Sequence, residues 1–185
     1  LKALSALPGV KSVYRDYKYY TQLYTSTHLI NAPVAWGMLG GQEMAGKGVK
    51  VASMDGGVHK DALMFDGTGW SYPTNFPVNG LGLTSNNNGK IIASRAYFRW
   101  WDPPAPGDEN PWPGENGTEH GVHTASTAAG NLVTDAEFAG TPLPPMSGVA
   151  PGAWVMSYRM FYASVRGDGS FYTAEGVAAL EDIVK

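Results

Sequence analysis

A chain of 185 residues with 43% hydrophobic side chains is long enough for one domain with a true core and too apolar to be disordered throughout. Sixteen acidic against thirteen basic side chains give a net charge of −3, which offers no basic footprint for nucleic acid or for an anionic membrane surface. Zero cysteines exclude thiol nucleophiles, disulfides and cysteine metal sites, leaving His28, His59, His120 and His123 as the imidazoles to weigh.

Residues 1–24 carry the Pro8-Gly9 turn signal and then a Val10, Ser12, Tyr14 alternation, which predicts one strand in a piece separate from the rest. The boundary falls near Tyr24 to Thr27. From Thr25 to Lys47, Pro33, Trp36, Met38 and Met44 among small residues predict a short helix and then a loop. Val49 to Val58 follows as an apolar run closed by Asp55 and then Gly56-Gly57. A buried parallel strand delivers a carboxylate to a sheet edge in this way.

A turn-rich excursion through Asn86-Asn87-Asn88-Gly89 leads to a second predicted strand, Lys90 to Phe98. The proline-rich stretch Arg99 to Thr118 can be neither helix nor central strand, and Asp102, Asp108 and Glu109 within it read as a solvated loop. Glu119 to Asn131 then predicts a helix with the His120 imidazole at its N-terminus. Ala153 to Phe161 reads as a third buried strand. Thr173 to Lys185 reads as a helix N-capped by Thr173, with Val177, Leu180 and Val184 on one face. This order predicts an α/β domain with a mostly parallel sheet. No apolar run approaches the roughly 18 residues of a membrane span, and Leu1-Lys2 does not begin a signal peptide, so the sequence reads as starting and stopping mid-protein.

Taken singly, each motif has an ordinary reading. Asp55 can be a structural carboxylate. His120 and His123, spaced i, i+3, can be core or capping side chains, or can share a face as metal ligands. Together they are more specific. Asp55-Gly56-Gly57, then His120-Gly121-Val122-His123-Thr124-Ala125, then Gly148-Val149-Ala150-Pro151-Gly152-Ala153 resemble, in order, three motifs of the subtilisin-like serine proteases, the subtilases. The departures, Gly56 after the acid, Val122 and Glu119 around the His motif, spare the reacting groups.

The resemblance covers residues 25–185 and implies the N-terminal part of a subtilisin-like catalytic domain. The implied fold is α/β, a mostly parallel central sheet with helices on both faces, incomplete in this chain. It implies a serine endopeptidase acting on polypeptides, with His120 as general base, Asp55 orienting it, and the nucleophilic serine in a downstream part of the same domain. It implies no cofactor, and metal stays unassigned. Residues 1–24 resemble the C-terminal end of an inhibitory prodomain, on Val10-Lys11-Ser12-Val13 and Thr25-Ser26-Thr27-His28, which implies a zymogen and secretion to the extracellular space. Arg166 to Phe171 resembles the edge segment that pairs with the bound peptide, which makes Gly169, Ser170 and Phe171 substrate-binding candidates; a plain Asp-Gly turn is the other reading.

Two further readings belong to other classes. One is a pseudoprotease that keeps the fold as a binding module without the nucleophile. The other is a metal hydrolase using Asp55, His120 and His123, although HGVH is not the H-E-x-x-H spacing.

Overall fold

Each of the three apolar runs becomes a six-residue strand in the computed structural model, which describes residues 8–10, 23–113, 119–162 and 171–185. They are β1 (Lys50–Asp55), β2 (Ile91–Ala96) and, after a small antiparallel ribbon of β3 (Glu137–Phe138) and β4 (Thr141–Pro142), β5 (Trp154–Arg159). All three pair in parallel with β5 in the middle, in the order β1-β5-β2. The register sets Val51 and Ile91 beside Val155, and at the other end Asp55 and Ala96 beside Arg159. The carboxyl ends of the strands therefore stand on one level.

Successive strand residues face opposite ways, so each face acquires its own core. Val51, Ile91 and Val155 pack with Val58, Phe65, Ala125 and Ala129, the last two from α3 (His120–Ala129). Ala52, Met54, Ile92, Met156 and Tyr158 pack with Ala179 of α4 (Thr173–Ile183) on the other side. Helices thus cover both faces, as the α/β reading requires. Ile91, Ile92 and Val155 are completely buried, each contributing about 1.5–3 kcal/mol of transfer free energy.

The region before β1 differs from its expectation of one helix and a loop. It forms α1 (Leu23–Leu29), α2 (Ala32–Leu39) and a 3-10 turn, Gln42–Met44. Pro33 opens α2, and Gly40 closes it in the left-handed conformation, φ +89°, that a side chain would resist. Trp36 ties the pair to the body by donating its indole N–H to the Val149 carbonyl at 2.8 Å. Helix α1 runs through residues 24–27, where the sequence places a segment boundary. The expected strand from Val10 to Tyr14 lies, apart from Val10, outside the described residues.

Helix α4 corrects its expected N-cap and settles which of its faces turns inward. Its N-cap is Tyr172, whose backbone N–H donates to Glu175 Oε2 at 2.8 Å, and Thr173 is the first helical residue. Val177, Leu180 and Val184 are exposed, whereas Gly176 and Ala179 are buried together with Glu175 and Asp182. The inward face is the one with charges because those charges are paired: Glu175 with Arg99 at 2.8 Å, and Asp182 with Arg95, Tyr97 and Lys185. Burial alone would raise the Asp182 pKa, but the hydrogen bonds from Lys185 and Tyr97 and the Arg95 charge outweigh it and hold the carboxyl below its usual range.

Candidate active site

Residues 51, 53 and 55 of β1 share the side covered by α3, and α3 begins at His120 beside the end of that strand. The two ionisable groups meet there. His120 Nδ1 lies 3.0 Å from Asp55 Oδ1 and 2.9 Å from Oδ2. Two more donors converge on the carboxylate: the Gly56 N–H on Oδ1 at 2.5 Å and the Thr124 hydroxyl on Oδ2 at 3.1 Å. Asp55 is buried, so these contacts supply the hydrogen bonds that water would otherwise give its oxygens.

The arrangement has a chemical consequence. A carboxylate on Nδ1 holds the ring proton there and leaves Nε2 with its lone pair, the tautomer that accepts a proton from an alcohol. The His120 side chain is 66% exposed, so a reactant can reach it.

The contact depends on a close backbone approach. A Cβ on Gly121 would fall 2.5 Å from the Gly57 carbonyl oxygen and 2.8 Å from its nitrogen. Gly57, at φ +97°, is equally confined on its other side, where a Cβ would meet the Pro111 carbonyl oxygen at 2.6 Å. Only glycine at both positions lets the turn after β1, the start of α3 and the proline-rich stretch share this space.

That stretch is held by Arg159, a completely buried cation at the end of β5. Its guanidinium donates to the carbonyls of Asp108, Asn110 and Trp112 at 3.1, 3.0 and 2.7 Å, and to Asp108 Oδ1 at 2.7 Å. Asp108 is thus corrected from a solvated loop residue to the partly buried partner of Arg159 in an ion pair. Ser157 continues the wall, accepting from the Val58 N–H and donating to the Pro111 carbonyl.

The other sequence candidates have their own settings. His123 is exposed and takes no part in the Asp55 contact; among the described residues no group of three His, Cys, Asp or Glu is placed to hold a metal. Phe171 stands edge to face with Phe161, ring centroids 5.3 Å apart, and its ring lies against Gly176. Gly169 and Ser170 lie outside the described residues. Two residues escaped the sequence reading. Thr124 carried a signal, since i+4 from His120 puts it on the same helical face. Arg159 carried a weaker one, a cation ending an apolar strand.

A cleft of about 1050 Å³ bordered by Lys47, Asp66, Trp70, Asn131 and Trp154 lies at the opposite, amino end of β5 and includes neither Asp55 nor His120. Among the described residues no helix is long and apolar enough to cross a membrane.

The sequence model of the Subtilase family matches residues 46–185. Subtilisin-like protease SBT2.2 of Arabidopsis thaliana is 28% identical, over 97% of this chain and 22% of its own length. Subtilisin-like protease SBT2.1 of the same plant is 32% identical, over 80% of this chain and 18% of its own length. The chain therefore spans about a fifth of the curated relatives it matches. A chain in the structure of the periplasmic assembly from the ESX-5 inner membrane complex is 22% identical over 96% of this chain and 35% of that one, with a TM-score of 0.38.

Proposed function

Because this chain belongs to the subtilase family, we propose that it is the N-terminal part of the catalytic domain of a secreted serine endopeptidase. The observation that carries the reading is the two-oxygen contact of Asp55 with His120 Nδ1, at 3.0 and 2.9 Å. In this reading a serine from a downstream segment of the same domain gives its proton to His120 Nε2 as its oxygen attacks the peptide carbonyl. His120 then passes that proton to the leaving amine, and water repeats the sequence to release the acyl group. Asp55 stays ionised throughout and stabilises the imidazolium.

Residues 1–185 by themselves are expected not to hydrolyse peptides, because a base without an activated hydroxyl forms no acyl-enzyme. The protein carrying its downstream region is expected to be labelled at a serine by an acylating serine-directed inhibitor, and His120→Ala is expected to abolish labelling. A complete protein that resists the inhibitor and cleaves no protein substrate would instead be a binding module on this fold.

Residues 1–24 act in this proposal as the end of an inhibitory segment removed near Tyr24 to Ser26. N-terminal sequencing of the active protein checks it: a mature start in that interval supports the proposal, and Leu1 retained at full activity overturns it. Since α1 runs through the interval, cleavage there requires that helix to open locally.

A further inference from the structure

From Trp100 to Tyr158 the sequence contains no lysine or arginine but seven aspartates and glutamates, five of them between Asp102 and Glu119. This stretch leaves the sheet on the level of the dyad, because Ala96 ends β2 beside Arg159 and Arg159 lies beside Asp55. Two strand spacings, about 10 Å, separate that exit from Asp55.

The stretch opens with a tight turn. Arg99 and Asp102 form an isolated bridge, with the Asp102 N–H donating to the Arg99 carbonyl at 3.2 Å, and the turn carries Trp100 and Trp101 at its tip. The two indoles stand edge to face, centroids 5.5 Å apart, and are 84% and 64% exposed. Nothing among the described residues covers these two tryptophans, which together make an apolar patch at the tip of a held turn. The base of the turn is held firmly, since Arg99 pairs with Glu175 at 2.8 Å and lies 3.1 Å over the Tyr172 ring. Asp102 and Glu109 are exposed nearby in sequence, while Asp108 is taken up by Arg159.

We propose that the Trp100-Trp101 turn, with Asp102 and Glu109, is an exosite for an arginine-bearing segment of the polypeptide substrate, a proposal that rests on the endopeptidase reading above. The chemistry selects arginine. A guanidinium stacks on an indole face and pairs with a carboxylate through the same planar group, whereas an acidic segment is repelled and a purely apolar one gains nothing from the exposed Asp102 carboxylate beside the indoles. A lysine, more strongly hydrated and without a flat face, binds less well.

The test uses the complete protein in a His120→Ala background, so that hydrolysis does not consume the probe. Fluorescence anisotropy compares a labelled peptide bearing an Arg-Arg pair with its citrulline copy, which is nearly isosteric and neutral. The arginine peptide is expected to bind about five- to tenfold tighter at low salt, with the difference shrinking at high salt. Trp100→Ala/Trp101→Ala and Asp102→Asn/Glu109→Gln are each expected to reduce the difference to about twofold or less. An arginine preference that survives the tryptophan pair's removal, no preference at all, or tighter binding of a leucine copy overturns the exosite. If the preference behaves as expected but the protein without the His120 change cleaves no peptide, the turn is an arginine-binding site, and the endopeptidase reading, with the exosite role that rests on it, fails. Cleavage without arginine preference gives the converse.

Discussion

Thr124 stands one helical turn beyond His120 and donates its hydroxyl to Oδ2 of the same Asp55 carboxylate, at 3.1 Å. Thr124→Val keeps the shape and removes that donor from a buried carboxylate. The expected cost is a roughly 5- to 30-fold fall in kcat in the complete enzyme, equivalent to about 1–2 kcal/mol, with KM little changed. Thr124→Ser should restore most of it; steady-state kinetics on the three proteins decides.

His120→Ala removes the proposed base and should lower kcat by at least about a thousandfold. His123→Ala, at an exposed position off the Asp55 contact, should stay within about threefold. Equal losses at the two positions would point to a shared role and contradict the dyad assignment.

Gly121→Ala places a methyl group against backbone atoms of Gly57 that cannot swing aside. The start of α3 must then move away from β1, and the His120–Asp55 contact opens. A displacement on the order of 1 Å should cost about a hundredfold in kcat/KM. A variant crystal structure showing the contact intact, with activity retained, would refute the argument.

Arg159→Met fills much the same volume but strips donors from four carbonyls, those of Asp108, Asn110, Trp112 and Phe161, and leaves Asp108 without its cation. Urea denaturation should show a loss of about 3–5 kcal/mol, and Asp108→Asn in the same protein should recover part of it. Limited proteolysis should then cut first within residues 100–113, where the proline-rich stretch has lost its anchor.

Lys90 is completely buried. Its ammonium donates to the Pro151 and Ala153 carbonyls at 2.8 and 2.6 Å and lies 4.1 Å over the Trp70 ring. Burial pushes its pKa down to about 7, from an ordinary value of 10.5. Between those pH values the unfolded chain holds a proton that the folded chain has shed, so this group makes stability rise with pH across the window and adds no slope below it. Lys90→Met should remove the rise. Denaturation midpoints measured from pH 6 to 10 for both proteins provide the check.

Much of this molecule was legible in its residues. The strands at Val51, Ile91 and Val155 are predominantly apolar runs with apolar residues at successive positions, a pattern that suits a parallel sheet buried between helices. Asp55 and His120 stand out because each terminates a regular element, and the ends of elements are where a fold exposes polar groups to one another. Their meeting also needed Gly57 and Gly121, whose missing side chains were visible in the sequence even though the space they vacate was not.

Only the tertiary structure decided which surfaces were covered. Periodicity put Val177, Leu180 and Val184 on one face of α4, but could not say that the opposite face, with Glu175 and Asp182, turns inward. That choice follows from Arg95, Arg99 and Tyr97, distant in sequence, which satisfy those carboxylates in place of water. Likewise Lys90, Asp108 and Arg159 look like ordinary surface charges until the carbonyls that receive them are known. Local sequence specifies how residues are spaced around an element, whereas burial of a charge depends on partners that only the folded chain brings within hydrogen-bond distance.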